Sequence, residues 1–270
     1  MIIDTHTHIY LNKKKSQEEI LSWLKDDNIK KIISIGIDLK TSQTSIDLAR
    51  QNKGIVYATV GIHPTDVWQY KHDLKWTINQ LERMILDNIE YVKWVWECGF
   101  DFHWINAEHF EEEKQVQEEF FKAQIELAKK YSLPIIIHTR KAKDETLRVL
   151  KEMDAKKFVL HCFSEDLDFA FKAIYYSEEC KVSFSGIVTY KTAHDVQKTA
   201  ANIPLDRILV ETDCPFLPPQ PVRWQENLPN NTKYNLEKVF ELRQENGKNE
   251  TFEQVEKQVF ENSIQFFNLV

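Results

Sequence analysis

Residues 1–8 read Met1-Ile2-Ile3-Asp4-Thr5-His6-Thr7-His8, an apolar opening that gives way to alternating polar side chains. In a strand, side chains two positions apart project from the same side. His6 and His8 therefore aim two imidazoles at one point, at the strand's C-terminal end. Imidazole is the commonest protein ligand for zinc and similar ions. A surface histidine pair or a leftover affinity tag is the alternative. Neither accounts for the imidazoles and carboxylates that recur at strand ends downstream.

Working outward, seven more β-branched runs follow Ile2–His6: Lys31–Ile37, Ile55–Ile62, Tyr91–Glu97, Leu133–His138, Lys157–His161, Lys181–Gly186 and Arg207–Asp213. Helical patterns separate them at Gln17–Asp27, Ser42–Asn52, Leu74–Asn88, Glu111–Tyr131, Ala142–Met153, Asp166–Ser177 and Thr192–Asn202, and Tyr234–Asn246 and Thr251–Phe267 close the chain. Strands that alternate with helices predict a parallel α/β fold, here a (β/α)8 TIM barrel. The runs are almost continuously apolar, as strands covered on both faces should be. A doubly wound open sheet competes, and the placement of polar residues at the strand ends argues for the barrel. No linker or repeat divides residues 1–270, which read as a single domain.

With 42% hydrophobic and 29% charged residues, the composition is that of an ordinary globular protein. No apolar run is long enough to span a membrane, and no signal-peptide pattern precedes the first strand. Cys98, Cys162, Cys180 and Cys214 are widely spaced, which fits reduced thiols and a cytoplasmic location. A net charge of −7 argues against indiscriminate nucleic-acid binding by the whole surface. No glycine-rich phosphate loop is present.

The predicted strands end in His6 and His8, Glu97, His138, His161 and Asp213. A barrel gathers these ends on one face, where active sites of this fold lie. Buried imidazoles and carboxylates without partners are costly, and cations would satisfy all six together. Six donors exceed one tetrahedral shell. The natural division puts His6, His8 and Asp213 on one ion and His138 and His161 on another, with Glu97 bridging at about 3.5–4 Å ion separation. Water activated there would attack, with Asp213 accepting its proton. The mixed nitrogen and oxygen shell suits one or two ions of Zn, Mn or Mg. Lys93, on the Glu97 face but deeper in its strand, is the poorer bridge.

The motifs His6-Thr7-His8, Gly61-Ile62-His63-Pro64, Glu97-Cys98-Gly99-Phe100-Asp101, His138-Thr139-Arg140, His161-Cys162-Phe163-Ser164 and Glu211-Thr212-Asp213-Cys214-Pro215 resemble, in order, those of the TatD-type metal-dependent deoxyribonucleases. The resemblance implies an amidohydrolase-like TIM barrel that hydrolyses DNA phosphodiesters, usually as an exonuclease, with one or two divalent ions. The family's ligand pattern falls on the same six residues. It also makes His63 a substrate-phosphate contact and places Arg140 to hold a phosphate oxygen. Glu211 is placed to orient a neighbouring group. After strand eight, Arg223, Asn227 and Pro229 match the family's substrate loop, whereas Trp224 and Gln225 depart from it. Glu165 stands where the family usually has glycine.

Lys13, Lys14 and Lys15 follow strand one, Lys141 and Lys143 strand five, Lys191 strand seven and Arg223 strand eight, so all are expected to rim one mouth and guide a DNA end. Asp101, Glu108 and Glu111–Glu113 oppose them. Trp68, Phe102, Trp104 and Trp224 in the same loops are candidates to stack on unpaired bases of single-stranded or frayed DNA, or to pack on the barrel. Because fold does not set substrate, an ester or amide hydrolase such as an aminoacyl-tRNA deacylase is the alternative. A catalytically silent nucleic-acid-binding scaffold is a lesser one.

Overall fold

The computed structural model describes residues 1–24 and 28–269. Eight parallel strands run in sequence order, each hydrogen-bonded to the next: β1 (Ile2–Thr7), β2 (Ile29–Ser34), β3 (Val56–Val60), β4 (Val92–Asp101), β5 (Ile135–Arg140), β6 (Phe158–Leu160), β7 (Lys181–Phe184) and β8 (Ile208–Val210). The ring shuts just beyond β8. A bridge joins Thr7 to Cys214, the Asp213 N–H donates to the His6 carbonyl at 3.0 Å, and the His8 N–H donates to the Cys214 carbonyl at 2.7 Å. The expected (β/α)8 barrel is the observed one.

Helices α1 (Gln17–Trp23), α2 (Leu39–Gln51), α3 (Leu74–Asp87), α4 (Phe110–Lys130), α5 (Lys143–Glu152), α6 (Leu167–Tyr176) and α7 (His194–Asn202) follow successive strands, and α8 (Thr232–Glu245) and α9 (Phe252–Phe267) end the chain. The expected helix at Gln17–Asp27 extends past α1 onto residues 25–27, outside the described residues. Helix α2 starts three residues before the expected Ser42. Asp38 is its cap, accepting the Thr41 N–H in a capping box. Among the described residues, no helix is long and apolar enough to cross a membrane.

Alternation along the strands divides the apolar side chains into two layers. The outer one lies between strands and helices and includes Ile32, Ala58, Val95, Ile137 and Val182. The inner one fills the barrel with Ile3, Ile33, Trp94, Trp96, Ile136 and Leu209, plugged from α9 by Phe266 and Phe267. A column of rings runs up the axis. Phe267 meets Trp94 edge-on at 4.6 Å, and two residues on along β4 Trp96 meets His6 at 4.4 Å. Trp96 is the floor on which the polar end is built, and fully buried aromatics of this size dominate core energetics.

Candidate metal centre

All six strand-end donors meet at the C-terminal mouth above Trp96. His6 lies within β1, in the stretch between Asp4 and Thr7 where the β1–β2 register slips, and His8 directly follows the strand. Glu97 sits at a register shift inside β4 rather than at its end, because the strand continues to Asp101. His138 is within β5, His161 follows β6, and Asp213 lies three residues past β8 at a positive φ of 59°.

The donors fall into two groups. In one, His6 Nε2 is 2.8 Å from His8 Nε2, and Asp213 Oδ1 is 3.1 Å and 3.4 Å from those nitrogens. In the other, Glu97 Oε1 is 2.7 Å from His161 Nε2 and 3.5 Å from His138 Nδ1, which are 3.3 Å apart. Glu97 belongs to both, since its carboxylate also gathers with His6 and His8. His63 adds a further nitrogen to the second group, with Nε2 3.8 Å from Glu97 and 3.4 Å from His138 Nδ1.

A supporting layer fixes which nitrogen faces the centre. His138 Nε2 lies 3.0 Å from Asp101 Oδ2, so its proton goes to that carboxylate and Nδ1 is bare. Tyr10 donates its hydroxyl to the Ile35 carbonyl at 2.6 Å and takes the Nδ1 proton of His8 at 3.2 Å. Glu211 accepts the Cys162 N–H at 2.5 Å and the Ser183 hydroxyl at 2.6 Å, and stands 3.5 Å from His161 Nδ1. That last contact is electrostatic, because among the described residues His161 Nδ1 has no hydrogen-bond partner. Asp4 accepts the His6 N–H together with the Thr212 N–H and hydroxyl, tying β1 to the segment after β8. Glu211 stands where its expected orienting role requires, whereas Asp101, expected in the loop after strand four, lies within β4, and Tyr10 and Asp4 carry no sequence signal of their place here.

Electrostatics follow from this crowding. Burial disfavours charge on Glu97, but His63 and His161 outweigh it and hold the carboxyl well below its usual range. Burial likewise opposes a proton on His161, yet Glu97 and Glu211 raise that imidazole to about 10. His63 goes the other way, lowered to about 3 mainly by burial and also by His138, against the pull of Glu97. Despite burial, His6 and His8 keep Asp213 ionised by lowering its carboxyl.

This arrangement fits divalent cations. Imidazole nitrogens and carboxylate oxygens converge on shared points. Among the described residues no lysine or arginine pairs with Glu97 or Asp213, and Glu97 and Glu211 raise His161 to about 10. His6, His8 and Asp213 would hold one ion, His138 and His161 another, with Glu97 between them.

The mouth opens into a cleft of about 600 Å³, lined by His63, Asp101, Trp104, Arg140, Asp213 and Phe216 among others. His63 and Arg140 thus reach the cleft as expected. The loop after β8 corrects another expectation. Asn227, read as a substrate contact, is buried, and its side-chain amide donates to the carbonyls of Thr212 at 2.9 Å and Phe216 at 2.7 Å. Its oxygen accepts from the Leu228 N–H at 3.0 Å and the Asn231 amide at 2.9 Å. Every polar atom is spent on folding the loop. Arg223 lies over the Tyr190 ring at 4.0 Å rather than among the cleft-lining residues, and Trp224 is 97% exposed. Lys13 and Lys14 are exposed outside the cleft wall, whereas Lys15 is held by Glu19 at 3.0 Å and lies over Trp23. Glu165, the residue at the usual glycine position, accepts the Lys141 N–H at 3.2 Å.

Comparison with known proteins agrees with this geometry. The family model described as TatD related DNase matches residues 3–268. YabD of Bacillus subtilis, a metal-dependent hydrolase by name, is 34% identical over 278 residues, covering 100% of both chains. YcfH of Escherichia coli K12, similarly named, is 31% identical over 237 residues, covering 84% of this chain and 83% of its own. The crystal structure of YJJV, a TatD homolog from Escherichia coli K12, aligns with a TM-score of 0.86 at 26% identity, covering 99% of this chain and 98% of that one. A barrel with these donors at its mouth, matched over nearly its whole length, belongs to the TatD family of metal-dependent hydrolases.

Proposed function

We propose that this protein hydrolyses DNA phosphodiester bonds, working inward from a single-stranded or frayed end. The observation that carries the proposal is the position of Glu97, whose carboxylate belongs to both donor groups. Two such groups sharing one carboxylate suit in-line displacement at phosphorus. Bound there, one or two ions of Zn, Mn or Mg would supply Lewis acidity and make a water acidic enough to deprotonate near neutral pH.

The chain's own residues do the rest. Asp213, ionised and lining the cleft, accepts the proton of the attacking water. Arg140, exposed at the cleft wall, holds a non-bridging phosphate oxygen. His63 Nδ1 is 2.6 Å from the Thr65 hydroxyl, which fixes the ring at the cleft with Nε2 toward Glu97 and His138, where a bound phosphate would meet it. The free thiols of all four cysteines fit work in a reducing compartment such as the cytoplasm.

The experiment is incubation with end-labelled single-stranded DNA and Mn, Mg or Zn. Stepwise shortening is expected, with Asp213→Asn losing at least about 100-fold in kcat while keeping its fold. Intact DNA alongside cleavage of aminoacyl esters would move the assignment to the ester hydrolases.

A further inference from the structure

Beside the catalytic cleft lies a second, smaller hollow of about 120 Å³ lined by Pro64, Thr65, Val67, Trp68, Trp104, Ile105, Glu113 and Gln117. Its walls are not independent of the cleft, since Thr65 and Trp104 line both. Trp104 is 66% exposed, with the Arg140 guanidinium 5.7 Å from its ring centroid. Thr65 contacts the imidazole of His63. A group seated in the hollow is therefore one indole away from the place where Arg140 and His63 meet a phosphate.

We propose that this hollow receives the base of the nucleotide adjoining the scissile phosphate, stacking it on the exposed ring of Trp104. The inference rests on the DNA-hydrolase reading and adds a base-recognition subsite to it. Its volume of about 120 Å³ suits one planar base, which leaves the sugar and phosphate in the larger cleft. Stacking on indole is tolerant of sequence because every base has a π face. Three polar side chains line the hollow, and two are engaged, the first being Thr65 with His63. Gln117 is committed to the backbone of Asp101, accepting its N–H at 3.0 Å and donating to its carbonyl at 3.3 Å. Half-buried Glu113 has no ion-pair partner among the described residues. A carboxylate accepts from exocyclic amino groups, so cytosine and adenine should be favoured over thymine.

The test is a cycle between protein and ligand. Fluorescein-labelled hexanucleotides with phosphorothioate linkages, each lacking the base at a different position, are titrated against metal-loaded protein and followed by anisotropy. Wild type is expected to lose about tenfold in affinity when one particular base is absent. Trp104→Ala, at an exposed position that the fold tolerates, should bind the intact oligomer about tenfold more weakly and be indifferent to that missing base. Glu113→Gln should erase the preference for cytosine over thymine at the same position. The subsite is overturned if wild type tolerates every abasic position equally, or if the penalty persists undiminished in Trp104→Ala. Unmodified oligomers, assayed for cleavage, separate the two readings. Base-dependent binding without cleavage sinks the nuclease assignment and leaves the subsite standing, whereas cleavage without base dependence does the reverse.

Discussion

Asp101 holds the Nε2 proton of His138 at 3.0 Å, and the same ring turns Nδ1 toward Glu97 at 3.5 Å. One carboxylate thereby decides which lone pair of a histidine faces the centre. Glu97 and Asp101 lie four residues apart on one strand and grip His138 from opposite sides. This is possible because β4 continues through Gly99, whose φ of 137° and close approach to the His138 carbonyl leave no space for a side chain.

Removing the Asp101 carboxylate should free that ring. Asp101→Ala is expected to weaken metal affinity by about 10–100-fold, as loss of such orienting partners does. Competition with a fluorescent chelator reads it directly. Affinity equal to wild type would mean that His138 is held by something else.

The correction at Asn227 has its own consequence. Asn227→Ala leaves the Thr212 and Phe216 carbonyls without their donor beside Asp213. A loss of about 2–3 kcal/mol in unfolding free energy is expected, measured by denaturant titration. A variant of unchanged stability with only a raised KM would restore Asn227 as a substrate contact.

The proton on His161 sets a pH dependence. Without an ion, its pKa of about 10 lies above the ordinary value of 6.5. That proton therefore stabilises the fold fully below pH 6.5, and its contribution is lost as pH rises toward 10. An ion must displace the same proton to bind. The increase in Tm on adding metal should accordingly grow with pH from 6 to 9, in paired melts with and without EDTA. A constant or shrinking increment would contradict the assignment of His161 Nε2 to the centre.

Charge outside the cleft wall is tested by Lys13→Glu with Lys14→Glu, since both side chains are exposed and Lys15 is engaged with Glu19. Single-stranded DNA should bind more weakly, with the slope of log K against log salt shallower by roughly 1 to 1.5. Metal content should stay at the wild-type level. An unaltered slope would remove these lysines from the path of the substrate.

What could be read from the chain beforehand has a physical pattern. His138 and His161 were legible because each interrupts or ends a run of apolar β-branched residues, a local signal independent of the fold's closure. Asp101 was not, because its pairing with His138 depends on β4 continuing past Glu97 through Gly99 and Phe100, where periodicity had already suggested a loop. Asn227 was misplaced for a related reason. A short polar side chain in a polar loop looks available to a ligand until the carbonyls it gathers are known. The start of α2 was in plain view, since Asp38 and Thr41 have capping-box spacing, but the apolar pattern begins later and drew the boundary with it.

The seam between the first and last strands carries a temporal consequence. His6 and His8 belong to the first strand and Asp213 follows the last, so both histidines are synthesised well before that carboxylate. A nascent chain that has formed β1 but not yet extruded β8 therefore lacks the carboxylate opposite those histidines, however well its earlier segments have settled. Assembly of that donor group therefore waits on the segment that follows β8.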